Sequence, residues 1–474
     1  MVGGGPAGCL MALHLARRGY DVKVYELLDD PRECGVASSK SINLTLAARG
    51  MAALEEVGLL EQALAASVPL RGRLVHGADG EAFHPYGARP DELLYSVRRN
   101  QLMVTLLEAT AEHPNVEITF NTRCVRVDRD RAEVSFQDEV SGREWSERFD
   151  HLVGADGVYS AVRQHMQRGL GAEYRQDSLT WGYKELVIPA GAVTTSELAY
   201  DCLHSWPRGD RLLLAIPNAD GSFVCTCVLP FHGEDSFDTV QSRVEVELFI
   251  RRTFGATVAS IPGVVDQFCS KPTSAFTTIR TAPWQYKGKV VLIGDACHAI
   301  YPFYGQGLNA ALEDCRVFNE LLDAEGGDWR SACSAFEAYR KPGTDVLADL
   351  SEENFAELRS TAGSGLLAAR KQVTMALARF LPDRWTPLYK LVSHTTVPID
   401  EALRRAKSQE RIARLLGMDA VVAVVAAWSA IGGAATGVGS RRRDADVPHL
   451  TRLQGLGQAE EELVEVEARE GVAK

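Results

Sequence analysis

Clustered positive charge is the first thing this sequence lacks. Across 474 residues, 63 Asp and Glu outnumber 51 Lys and Arg, giving a formal charge of −12. Nucleic-acid partners require a basic face, so that class is excluded. Paired-cysteine signatures are missing as well. Ten cysteines are scattered from Cys9 to Cys333. The nearest pair, Cys225 and Cys227, fits neither a C-x-x-C redox motif nor a zinc pattern. No signal-peptide pattern is present, so the thiols are expected to be free, in a reducing compartment, and mostly core filler. Internal repeats and low-complexity tracts are absent. Apolar residues are also scarce ahead of Gly3, where only Met1 and Val2 stand. What remains is an ordinary globular composition, 46% hydrophobic and 24% charged, long enough for two or three domains.

The chain is organised around its opening stretch, MVGGGPAGCLMALHLARRGYDVKVYE. Gly3, Gly5 and Gly8 form G-x-G-x-x-G, followed by a helical pattern from Cys9 to Arg18. A β-branched run, Asp21–Tyr25, then ends on Glu26. The first glycine allows a tight turn, the second lets backbone approach a pyrophosphate, and the third packs helix on strand. The helix N-terminus offers free N–H groups to that pyrophosphate, and Glu26 stands where a carboxylate accepts from ribose hydroxyls. A lone triplet also suits a plain αβ turn; loop, helix, strand and acid in register point to a dinucleotide site. A Rossmann unit normally carries about five or six apolar residues before the loop. A chain extended upstream by a strand's length is therefore expected to hold its dinucleotide better than this one.

Further along, Ser41–Leu64 reads as a short strand and an amphipathic helix. Arg71–Tyr95 reads as a hairpin turning at Ala78-Asp79-Gly80. Arg98–His113 has helical period, and Val116–Phe136 reads as strands. Leu152–Arg163 (LVGADGVYSAVR) runs an apolar strand into Asp156-Gly157, a dipeptide that ordinary strand-end turns also favour. Gly171–Lys271 is strand-rich and lies between nucleotide-site segments, which suggests an inserted substrate domain. Lys289–Asp295 is a buried parallel strand, Asn309–Leu322 a helix, and Asp345 to about Leu416 largely helical with an interruption near Leu381–Pro387. Ala420–Ser440 carries no charge over 21 residues and is closed by Arg441-Arg442-Arg443. At 1.5 Å per residue it just spans a hydrocarbon core roughly 30 Å thick, so a membrane anchor is expected over a buried Ala/Gly-rich helix. The last 34 residues are polar and acidic, a composition that suits a loosely ordered tail.

Three separated segments, GGGPAG, GADGVYSAVR and LIGDACHAIYPFYGQGLNAALEDC, together resemble the class A flavin-dependent aromatic hydroxylases of the para-hydroxybenzoate hydroxylase type. Within that group SINLTLAARG, LHSWPR, AIPNADGSFVCT and YPFYGQGLNAALEDC are similar to the kynurenine 3-monooxygenase family, from Gly3 to about Leu416. The resemblance implies an α/β and α+β architecture. Residues 1–170 and 286–330 form a Rossmann-like FAD-binding domain, 171–285 an inserted β-sheet substrate domain helped by the 71–95 hairpin, and 331–416 a helical C-terminal part. A transmembrane helix at 420–440 and a polar tail at 441–474 follow. Tail-anchored members of the family sit in the mitochondrial outer membrane with the catalytic part facing the cytosol, and that placement is expected here.

Carried over position by position, the resemblance puts Arg73 and Tyr86 on the substrate's carboxylate, where a guanidinium offers a planar two-pronged donor. Asn354, Tyr389 and Phe303 complete the substrate lining, and Leu358 stands where the family has methionine, a volume-conserving exchange. FAD contacts fall on Gly3, Gly5, Ala7, Gly8, Tyr25, Glu26, Thr45, Arg99, Cys124, Asp156, Asp295, Leu308 and Asn309. Cys124 and Leu308 are expected to act through backbone groups, and Leu28 replaces the family's arginine on the adenosine side. Without the resemblance, Arg73 reads as a surface strand charge and Tyr86 as a turn aromatic.

The activity implied is hydroxylation of L-kynurenine to 3-hydroxy-L-kynurenine, in tryptophan degradation, with FAD, NADPH and O2 and a C4a-hydroperoxide on the flavin. The aniline nitrogen activates the ortho carbon, so no protein base, no catalytic side chain and no metal is expected. With no second glycine loop, NADPH is expected to bind transiently over the flavin. His298 is expected to be structural beside Asp295. Two alternatives stay open: a related hydroxylase of another ring, and a membrane-tethered relic without turnover. Oligomeric state is not legible.

Overall fold

Met1–Gly3 threads between two pairs of parallel strands and joins them. On one side Val2 N donates to Val153 O at 2.9 Å and Ala155 N to Val2 O at 2.8 Å; on the other Tyr25 N donates to Met1 O at 3.0 Å and Gly3 N to Tyr25 O at 2.8 Å. Val22–Tyr25 pairs in parallel with Val116–Thr119, and Leu152–Gly154 with Val290–Leu292. The first strand is thus a bridge made at Val2 alone, yet both Met1 and Val2 are buried. A parallel sheet must be covered on both faces. The helix Pro6–Arg17 covers it with an uninterrupted buried run from Gly8 to Ala16, packed between Arg99–Ala111 and Gly307–Ala324. The computed structural model describes residues 1–33, 43–77, 80–193, 198–259, 261–359, 373–374, 377–378 and 385–415.

The second sheet has seven strands, in the order Ser274–Ala282, Glu173–Ile188, Phe223–Pro230, Arg211–Pro217, Cys202–Arg208, Gly72–His76 and Glu81–Pro85. Alternation along these strands splits their side chains between two faces. One face carries Leu186, Leu213 and Phe223 to a core shared with Phe249 and Phe268. The other carries Leu212, Val228 and Phe276 toward Tyr301, Phe303 and Phe355. The hairpin forms in the register Gly72↔Pro85 to His76↔Glu81. It joins the sheet through a parallel pairing of Gly72–His76 with Cys202–Arg208. Leu94–Arg98 does not continue the hairpin. It crosses to a third sheet between Asn43–Leu46 and Ser67–Leu70, burying Leu94, Ser96 and Val97.

The helical run expected from Asp345 starts earlier, close to the 331 boundary implied by the resemblance. Trp329–Arg359 is one helix of 31 residues that passes through Pro342, with Gly343 close against Ile399 of the helix Ile399–Leu415. The short helix Leu388–Ser393 precedes it. Among the described residues no helix is long and apolar enough to cross a membrane, and 420–440 lies outside them.

Candidate active site

The three glycines of the opening loop answer to three different constraints. Gly3 has φ +98°, and a Cβ there would stand 2.3 Å from Ala155 O. A Cβ on Gly8 would stand 2.0 Å from Gly3 O, whereas one on Gly5 would meet nothing within 4 Å. Gly3 and Gly8 are therefore fixed by packing, and Gly5 opens on free space. Gly5 is the N-cap of Pro6–Arg17, a helix start with no side-chain cap and no acidic residue in its first turn, so its N–H groups are left for an anion. Glu26 folds back onto the loop, its carboxylate accepting from Gly4 N at 2.6 Å and Leu28 N at 2.9 Å. Ala7 is the second residue of this helix, and its carbonyl accepts from Cys315 Sγ.

A cavity of about 1010 Å³ opens between the two sheets and the C-terminal helices. It gathers all five residues expected on the substrate side, Arg73, Tyr86, Phe303, Asn354 and Tyr389, and three expected on the flavin side, Thr45, Asp295 and Leu308. These come from every part of the fold. Arg73 lies on the first hairpin strand and Tyr86 just past the second, Phe303 sits in the turn Pro302–Tyr304, Asn354 on the 31-residue helix and Tyr389 on Leu388–Ser393. Arg73 has no hydrogen-bond or ion-pair partner among the described residues, and its Nε is buried without one. Tyr86 and Tyr389 stack with centroids 5.9 Å apart. Burial raises both phenols, Tyr389 to about 12, so both stay protonated donors.

One wall is aromatic. Phe303 stacks on Phe355 at 4.1 Å and tilts against Phe276 at 4.9 Å, and Phe276 stacks on Tyr183 at 4.6 Å. Asn354 serves this wall: its Nδ2 donates to Phe303 O at 2.6 Å. Sequence reasoning passed over Tyr183, Phe276, Tyr304 and Lys390, all of which line the cavity. Tyr304 and Lys390 each adjoin a residue that was named, and adjacency was their only local signal.

Several residues expected at the flavin are occupied by the protein itself. The Tyr25 ring stacks on Phe136 at 3.9 Å and its hydroxyl donates to Glu147 at 2.6 Å. The Asp156 carboxylate accepts from Ser160 Oγ at 2.5 Å, Ala161 N at 2.8 Å and Val162 N at 3.1 Å, capping the helix Ala161–Gln167. Burial raises its carboxyl against the pull of those donors. Asn309 donates to Thr45 O and Gly305 O and accepts from Ala47 N at 2.8 Å. Each of these side chains thus already has partners within the protein. Cys124 is half-buried on the strand Thr122–Asp128, and burial lifts its thiol to about 12. Arg99 is exposed at the start of Arg99–Ala111.

Asp295 is exposed to the cavity, and desolvation within that recess raises its carboxyl, opposed by His298 and Arg99. His298 belongs elsewhere. Its Nε2 lies 2.5 Å from Asp314 Oδ2, which also accepts from Gly294 N at 2.9 Å, while Arg340 Nε reaches Asp314 Oδ1 at 2.8 Å. Arg340 continues to Glu313 at 2.5 Å, and Glu313 to Arg49 at 2.8 Å. Arg49 in turn donates to Val392 O and Val397 O. This buried chain of charges ties the helix after the Gly305–Leu308 turn to the helix bearing Tyr389. Arg163 makes a similar tie, joining Val158 O to Ala296 O at 2.7 Å each.

Residues 1–331 match the FAD binding domain family. A kynurenine 3-monooxygenase of Salinispora arenicola is 45% identical over 447 residues, covering 94% of this chain and 98% of the relative. The chain belongs to the kynurenine 3-monooxygenase family. Members from Flavobacterium johnsoniae (38% identical, 85% of this chain and 90% of the relative) and Dictyostelium discoideum (35%, 87% and 91%) agree. Solved folds are alike at lower identity. The tetrameric 2-methyl-3-hydroxypyridine-5-carboxylic acid oxygenase has a TM-score of 0.63 at 20% identity, covering 85% of this chain and 96% of its own. The p-nitrophenol 4-monooxygenase PnpA of Pseudomonas putida also has a TM-score of 0.63, at 21% identity, covering 80% and 92%. These two show the hydroxylase fold.

FAD fits the frame. Gly5 and the uncapped start of Pro6–Arg17 would receive its pyrophosphate, and Glu26 beside them would meet a ribose. At the other end the helix Gly307–Ala324 also starts without a side-chain cap, and Gln306 Oε1 beside it is buried without a partner. A helix N-terminus there suits the negative charge of a reduced flavin ring.

Proposed function

We propose that this chain hydroxylates L-kynurenine to 3-hydroxy-L-kynurenine, with FAD as cofactor and NADPH and O2 as co-substrates. The observation that carries the reading is the guanidinium of Arg73, unpartnered among the described residues and set in one cavity with Tyr86, Tyr389 and the Gly305–Leu308 turn. A free arginine between two protonated tyrosines is built for a carboxylate. FAD, when bound, supplies reduction by NADPH and activation of dioxygen. The chain's own residues bind and orient. Arg73 and Tyr86 take the amino-acid carboxylate, Phe303, Phe276 and Leu358 exclude water from the ring, and the Pro302–Leu308 segment sets the distance between ring and flavin. The aniline nitrogen already activates its ortho carbon, so the protein's contribution is orientation and dryness rather than proton transfer.

The test is NADPH oxidation by the flavin-loaded chain with L-kynurenine against hydroxybenzoates, with chromatography of the product. Kynurenine-stimulated oxidation yielding 3-hydroxykynurenine supports the reading; stimulation by a hydroxybenzoate alone overturns it. Membrane attachment through 420–440, at the mitochondrial outer membrane in a cell that has one, belongs to the same proposal. The uncharged run closed by Arg441–Arg443 supports it. Full-length chain in the membrane fraction, released by truncation after Leu416, is the expected result, and a wholly soluble full-length chain rejects it.

A further inference from the structure

Among the described residues, two lysine or arginine side chains line the cavity, Arg73 and Lys390, and of these only Arg73 is without a partner. Lys390 Nζ lies 2.7 Å from Glu92 Oε1, whose carboxylate is 7% exposed. The other oxygen of Glu92 accepts from Ala88 N at 2.7 Å and Arg89 N at 3.3 Å. The loop that follows Tyr86 is wrapped onto this carboxylate: a Cβ on Gly87 would stand 2.1 Å from Glu92 Cβ and 2.7 Å from its Oε2. Burial works against charge on Glu92, but Lys390 and the two N–H groups outweigh it and hold the carboxyl below its usual range. The pair is therefore ionised, and the Lys390 ammonium is neutralised at the edge of the substrate cavity.

We propose that Glu92 is a positioning residue which occupies Lys390, so that a substrate carboxylate finds Arg73 as the single free cation among the described lining residues, and binds in one register. The inference rests on the kynurenine reading above and deepens it. Arg73 lies on the hairpin strand and Lys390 on the helix Leu388–Ser393. A carboxylate that chose between them would swing the aromatic ring between two positions. Opposite charges fix register, and a displacement of about 1 Å can cost about a hundredfold in rate. Pairing Lys390 internally removes the second choice.

The variant that isolates the charge is Glu92→Gln. Its amide oxygen still accepts from Ala88 and Arg89 N–H, while its NH2 meets Lys390 and sets the ammonium free. The readout is hydroxylated product per NADPH consumed, measured on the flavin-loaded enzyme with L-kynurenine and with kynuramine, the analogue without a carboxylate. With kynurenine the yield is expected to fall by about tenfold, and E92Q/K390M is expected to recover most of it. With kynuramine, E92Q and wild type are expected to match. Should E92Q fail to fold, Lys390→Met alone keeps the test: the yield per NADPH is expected to hold while KM for kynurenine rises, since Glu92 then keeps only the exposed Arg89 guanidinium, 3.3 Å away, as its counter-ion beside the substrate. The proposal is overturned by a double variant no better than E92Q, by an equal loss with kynuramine, or by a fall in yield with K390M. Equal KM for kynurenine and kynuramine in the wild type overturns the Arg73 reading itself, and the proposal with it.

Discussion

Asn354 Nδ2 donates to the carbonyl oxygen of Phe303 at 2.6 Å. A side chain expected to touch the substrate thus pins the turn that forms the cavity wall, across the gap between the 31-residue helix and Pro302–Tyr304. Asn354→Leu removes the donor and keeps the volume. A hydrogen bond of this kind contributes about 1 kcal/mol, so the thermal midpoint falls only slightly. The larger expected effect is looser placement of Phe303, seen as more hydrogen peroxide per NADPH with kynurenine. An unchanged peroxide ratio would show that the bond has no bearing on the wall.

Arg73→Met keeps the hydrophobic stem and removes the charge. Losing a charge-assisted contact of about 3 kcal/mol corresponds to roughly a hundredfold rise in KM for kynurenine. Because the contact is remote from the ring, kcat is expected to change far less. Steady-state kinetics decide this, and a loss confined to kcat would move Arg73 out of substrate binding.

Gly3 and Gly5 separate folding from cofactor binding. Gly3→Ala places a methyl 2.3 Å from Ala155 O at φ +98° and is expected to abolish the folded state. Gly5→Ala meets no protein atom within 4 Å, so the apo-protein is expected to melt as wild type does. Its methyl stands where backbone must approach the pyrophosphate, so FAD is expected to bind at least about tenfold more weakly. Flavin absorbance after gel filtration and a melting curve read the two effects, and undiminished FAD affinity in Gly5→Ala would falsify the placement.

The buried charge chain predicts a pH dependence. Burial pushes the Asp314 carboxyl up, but His298 and Arg340 outweigh it and hold it below the usual value. A depressed folded pKa gives stability that is present above the unfolded value of about 3.9 and is lost as pH falls through the folded one. Wild type is therefore expected to keep this contribution at pH 5 and lose it only below about pH 4. Arg340→Met leaves Glu313 and Asp314 short of their partner, at a cost of about 3–5 kcal/mol. Its acid-unfolding midpoint is expected to shift upward, as melting curves across pH 3–7 would register. A midpoint that stays in place would mean that His298 alone holds the charge.

The sequence by itself determined the parts whose physics is local. Gly3, Gly5 and Gly8 act through backbone shape within one loop, and the order of the three nucleotide-site segments marks the family without reference to packing. The residues expected around the substrate also converge in one cavity, but they were named through the family resemblance, and only the fold brings their separate elements together. The tertiary structure alone decided which side chains are free. Asn354 and Asn309 are spent on backbone carbonyls, Tyr25 on Glu147, and Asp156 on a helix cap. Arg49 finds its carbonyl at Val397 from 348 positions away, and Lys390 finds Glu92 across the cavity edge. No local pattern encodes such partners, because they are selected by burial: a polar group removed from water must take whatever complement the fold brings within 3 Å or so. Arg73, left without one, is defined as a binding residue by that same accounting.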